Sequence, residues 1–114
     1  VVLSFQPHLA PMNRGICSTL SVLSEGPVRT EKIYDCWKNA YSNRPFVQIL
    51  ASGTFPETSA VTGTNRIDFS GLADPRTNRY VLCSTEDNLI KGAGGQAIQA
   101  MNLCQGYPEE SGLS

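Results

Sequence analysis

The feature that most constrains this chain is one apolar stripe at helical spacing between residues 30 and 42. Ile33, Cys36, Trp37, Ala40 and Tyr41 fall at i, i+3, i+4, i+7 and i+8, the period of a single helix face. Thr30 stands before the stripe as a candidate N-cap, and Glu31 in the first turn opposes the helix dipole. Ser42-Asn43-Arg44-Pro45 stops the helix. A helix with one apolar face needs another layer to lie against.

Most of the remaining chain reads as strands. Val1 to Gln6 forms a short one, ended by Pro7, and Gly15 to Leu23 alternates with β-branched residues. Phe46 to Leu50 and Tyr80 to Ser84 follow the same logic, and Val61 to Phe69 does so weakly. Ser24-Glu25-Gly26-Pro27 and Asp74-Pro75-Arg76-Thr77 are turns, and Ser52 to Ser59 is a loop. A second helix follows a glycine-rich stretch, with Ala97, Ile98, Met101 and Cys104 as its stripe and Gly106 and Pro108 as its end. The order β, β, α, β, β, β, α predicts an α+β domain over residues 1–114, a mixed, largely antiparallel sheet with helices on one face. An apolar sheet face left bare would need a subunit interface.

At 114 residues with 40% hydrophobic and 17% charged side chains, the chain suits one ordinary globular domain. Its net charge of −1 comes with no cluster of Lys or Arg, so the basic footprint of a nucleic-acid binder is missing. No apolar run approaches the roughly 20 residues that span a bilayer, and the N-terminus lacks the basic region and cleavage site of a signal peptide. The absence of an initiating Met suggests a piece of a longer polypeptide. Cys17, Cys36, Cys83 and Cys104 contain no CxxC pair. Reduced, buried thiols in a cytoplasmic protein are expected. With one histidine and that spacing, zinc is not expected.

Three stretches are distinctive. The first runs Phe5-Gln6-Pro7-His8-Leu9-Ala10-Pro11-Met12-Asn13-Arg14-Gly15, and the second Val61-Thr62-Gly63-Thr64-Asn65. The third runs from Glu86-Asp87-Asn88-Leu89-Ile90-Lys91-Gly92 through Gly94-Gly95-Gln96 to Met101-Asn102-Leu103. Gly106-Tyr107-Pro108-Glu109 and Gly112-Leu113 come after it. Together, in order and over essentially the whole chain, they resemble the C-terminal half of the N-acetyl-gamma-glutamyl-phosphate reductases. Tyr41 to Ile49 resembles that family's step from helix to strand.

The resemblance implies a fold similar to the C-terminal domain of glyceraldehyde-3-phosphate dehydrogenase. It also implies a separate Rossmann domain that binds NADP, and a homo-oligomer. The activity implied is reduction of N-acetyl-glutamyl phosphate to its semialdehyde in arginine biosynthesis. A cysteine thiolate attacks the acyl phosphate and a histidine assists, which splits one difficult reaction into two easier ones. The family's motifs for that cysteine and histidine do not occur in these residues, nor does the dinucleotide fingerprint. The chain alone is therefore expected to be inactive.

Site expectations follow from the same resemblance. Arg14 is a candidate grip on the substrate carboxylate or phosphate, against the plainer reading of a surface or interface salt bridge. His8, the sole histidine, is a candidate substrate-side hydrogen bond rather than the general base, against a structural role. Asn88 is the candidate contact to the nicotinamide amide, and Gly92 allows the backbone to approach the cofactor, against glycines that only permit tight packing. Lys91 could meet a phosphate but is read as solvated. Trp37 and Tyr41 are read as core. The competing readings are a related semialdehyde dehydrogenase, a non-enzymatic α+β interaction module and, last, an RNA-binding sheet. The last lacks the exposed aromatics and basic strands it requires.

Overall fold

The computed structural model describes residues 2–114. Its elements are β1 (Ile16–Leu23), α1 (Thr30–Tyr41), β2 (Val47–Ile49), α2 (Thr58–Val61), β3 (Ile67–Asp74), β4 (Arg79–Glu86), a π-helical turn at Ile90–Gly94 and α3 (Gly95–Gln105). The strands form one sheet in the order β1-β4-β3-β2. Only β2, beside β3, runs parallel, while β1–β4 and β3–β4 are antiparallel. This is the mixed, largely antiparallel α+β sheet that the strand pattern predicts.

The β3–β4 hairpin is set by its loop. Asp74 pairs with Arg79, and Asn78 takes a left-handed φ of 53°, which asparagine tolerates better than most residues. Asn78 Nδ2 then donates to Ser24 O at 2.8 Å, tying the end of β1 to the hairpin. On one face of the sheet, Phe69, Gly71 and Leu82 meet α1. Trp37 stands edge-on to Phe69 with centroids 4.7 Å apart, flanked by Tyr34 and Tyr41. A Cβ on Gly71 would lie 2.9 Å from Trp37 Cη2 and from Leu82 Cδ2, so the glycine is what lets the indole reach the sheet. The short α2 closes a corner of the opposite face, where Thr85 Oγ1 donates to Glu57 O.

Several local expectations need correction. Val1 lies outside the described residues, and no strand forms over residues 2–6. That segment has no neighbouring strand to pair with, and Leu3, Phe5 and Leu9 stay exposed. Thr30 does not cap α1. Arg29 holds the cap position without a side-chain bond, and Thr30 Oγ1 instead accepts the Ala73 N–H at 3.0 Å. Val61 to Asn65 is not strand but the end of α2 and a turn. Gly63 sits there at φ +83°, and the Thr62 and Thr64 hydroxyls bond back to Thr58 O and Val61 O. Such local side-chain bonds compete with a strand ladder.

The cysteines are all free, as expected, but they are not buried. Cys17, Cys36 and Cys104 are exposed and Cys83 is half-buried; Cys17 and Cys104 lie on β1 and on the outer face of α3, which nothing in the domain covers. The interior is unusually polar. Val28, Ile33, Phe46 and Val61 are its buried apolar side chains, alongside buried Asn65, Asp68, Ser70, Thr85, Asp87, Gln99 and Asn102. The stripe of α3 is turned outward accordingly. Ile98 and Met101 are exposed, whereas Gln99 and Asn102 face the domain.

Candidate functional site

The three distinctive stretches, far apart in sequence, converge on Asp87 at the end of β4. Its side chain is fully buried. Oδ1 accepts from Arg14 Nε at 2.9 Å, from Leu89 N at 2.9 Å and from Ile90 N at 3.2 Å. Oδ2 accepts from Gly63 N at 2.7 Å. Asp87 therefore caps the π turn and holds both other stretches to it. The Arg14 guanidinium, the strongest of these influences, and the backbone N–H groups together hold the Asp87 carboxyl well below the usual aspartate range, outweighing desolvation.

Asn88 adds a second tie. Its Oδ1 accepts the Gly15 N–H at 2.8 Å, so the amide nitrogen is the end left to donate. Gly92 is exposed, and its N–H closes back on Asp87 O at 2.9 Å. A Cβ there would meet Glu86 Oε1 at 3.4 Å and Asp87 O at 3.6 Å, so its own neighbours do not forbid a side chain. Gly95 differs: a Cβ would run into Asn65 Oδ1 and lie 2.8 Å from Ile90 O. Close packing is thus the role of Gly95.

Arg14 uses Nε on Asp87 while about a third of its side chain stays exposed. His8 lies apart from this cluster on the exposed segment, its Nδ1 2.9 Å from Gln6 O. Lys91 is not simply solvated, contrary to expectation. Nζ donates to Gln99 Oε1 at 2.7 Å and stands 5.9 Å from the Phe46 ring centroid. Burial pushes its pKa down, and Glu86 and Glu109 oppose that shift. Gln99 in turn takes a hydrogen bond from Asn65 Nδ2 and donates to Glu109 Oε1. Lys91 and Glu109 thereby fix the orientation of the Gln99 amide, and Gln99 fixes that of Asn65.

Asp87, Asn65 and Gln99 were not singled out by sequence reasoning. Only Asp87 carried a usable signal, an aspartate just ahead of a helix start. Among the described residues no group of three or more His, Cys, Asp and Glu side chains is placed to hold a metal ion, and no helix is long and apolar enough to cross a membrane.

Comparison with known proteins places these features. The chain is 50% identical over 111 residues to the N-acetyl-gamma-glutamyl-phosphate reductase of Shouchella clausii, covering 97% of this chain and 32% of that protein. It is 45% identical over 113 residues to the enzyme of the same name from Akkermansia muciniphila, covering 99% and 33%. The chain thus spans about a third of the length of the curated relatives it matches. Among solved structures, aspartate semialdehyde dehydrogenase II from Vibrio cholerae superposes with a TM-score of 0.63 at 20% identity, over 83% of this chain and 28% of that one. That likeness concerns the fold. Residues 1–88 match the family model described as the semialdehyde dehydrogenase dimerisation domain, and the chain belongs to that family.

Proposed function

We propose that this chain is the substrate-side and dimerisation domain of an NADPH-dependent N-acetyl-gamma-glutamyl-phosphate reductase, working in the cytoplasm in arginine biosynthesis. The observation that carries the reading is the convergence at Asp87: the stretches on which the resemblance rests are the ones that build a single corner of the domain. The relatives carrying that name match nearly the whole chain.

In this reading Arg14 offers its exposed guanidinium to the carboxylate or phosphate of N-acetyl-glutamyl phosphate, and His8, on the exposed segment ahead of β1, is a secondary substrate contact. Asn88 offers its amide nitrogen to an acceptor on the nicotinamide, and Gly92 leaves room for the backbone to come close. NADPH, when bound, supplies the hydride. The nucleophilic cysteine, the acid-base histidine and most of the dinucleotide grip belong to residues outside this chain. The outward apolar stripe of α3, with Ile98 and Met101 exposed, suits docking against a Rossmann domain, and the uncovered β1 suits contact with a second copy.

The test is a pair of assays. The purified 114-residue chain is expected to show no NADPH oxidation with N-acetyl-glutamyl phosphate. The full-length enzyme containing it is expected to turn over. Measurable turnover by the 114 residues alone would contradict the division of labour. Preference of the full-length enzyme for aspartyl phosphate would favour the second reading, a related semialdehyde dehydrogenase, which the family match over residues 1–88 supports.

A further inference from the structure

We propose that Asp87 is a positioning residue that couples the substrate side of the site, at Arg14, to the dinucleotide side, at Asn88; this rests on the reductase reading above. Asp87 is fully buried, so it touches neither ligand itself. It works through what it holds.

On the substrate side, Asp87 takes Arg14 by Nε. The guanidinium is planar and its donors are fixed in a fork. Holding Nε therefore sets the direction of the two terminal nitrogens, and the side chain retains its exposed edge. On the dinucleotide side, Asp87 accepts the N–H groups of Leu89 and Ile90, the two residues that follow Asn88. Their positions set the backbone from which the Asn88 amide projects. The two sides are also laced directly, because Asn88 Oδ1 accepts from Gly15, the neighbour of Arg14. The Gly63 N–H completes the shell from a third segment.

A buried carboxylate with four donors cannot exchange one of them for water. Neutralising it weakens every charge-assisted bond at once, so both projecting groups lose their aim together. A residue that served stability alone would lower the folded fraction and leave the affinity of the surviving molecules unchanged.

The experiment uses the full-length enzyme. Asp87→Asn is expected to raise the KM for N-acetyl-glutamyl phosphate and the KM for NADPH, each by about tenfold or more, the cost of misplacing a positioned group. Arg14→Ala is expected to raise mainly the former, and Asn88→Ala mainly the latter. Adding Asp87→Asn to Arg14→Ala is expected to cost little more in the acyl-phosphate KM, since the guanidinium it aims is already gone. Should Asp87→Asn fail to fold, Arg14→Lys serves instead. It keeps the charge without the fork and is expected to raise the acyl-phosphate KM several-fold without restoring the wild-type value. Unchanged KM values in either variant would overturn the coupling while leaving the reductase reading intact. No turnover of N-acetyl-glutamyl phosphate by the unmodified enzyme would overturn that reading, and this inference with it.

Discussion

Asp87 has a consequence for stability that acid exposes. Its folded pKa is depressed, first by Arg14 and then by the backbone donors. A carboxylate of this kind stabilises the fold fully above the ordinary aspartate pKa of about 4, and the contribution drains away as pH falls below it. The gap between the melting temperatures of the wild-type chain and Asp87→Asn, constant from pH 7 down to about pH 4, should therefore begin to narrow by pH 3. A gap as wide at pH 3 as at pH 7 would show that the charge is not what Asp87 contributes. Arg14 was legible in the sequence as a residue of interest. Its partner was not, because the two lie 73 positions apart and no local spacing links them.

The helices and strands divide by how much they owe to their neighbours. The α1 stripe and the β3–β4 turn follow from local rules, and both appear where the spacing puts them. Gly71 marks the point where α1 and the sheet meet. Gly71→Ala is expected to destabilise the chain by about 1–3 kcal/mol through overpacking against Trp37 and Leu82, measured by urea denaturation. A neutral result would mean that the indole moves aside without cost. The α3 helix was legible as a helix but not as to which side it buries. Its polar side turns inward because Gln99 and Asn102 find partners there: Asn65, Lys91 and Glu109 for the first, Glu109 O and Ser111 O for the second.

The molecule as a whole leaves much apolar surface bare for its size. Ile16, Leu20 and Val22 line one side of β1, an eight-residue edge strand without charge or proline, and edges of that kind invite pairing or cover. Beside them, Leu20, Leu82, Trp37 and Tyr41 border a hollow between the sheet and α1. Self-association is therefore expected, and light scattering should report a mass above that of one chain. Leu20→Asp with Val22→Asp should shift the mass toward a monomer. A strictly monomeric wild-type chain at high concentration would count against this surface as an interface.

Local chemistry was enough to place α1, the hairpin turn, the left-handed glycine that ends α3 and the α+β class, because each depends on neighbours a few residues away. Periodicity also revealed that α3 has two unlike sides. Folding alone settled which of them points inward, and it alone made Asp87 the meeting point of the three stretches. Burial of a polar group depends on partners brought from elsewhere in the chain, and those partners are chosen by the packing of the whole sheet rather than by any window of sequence.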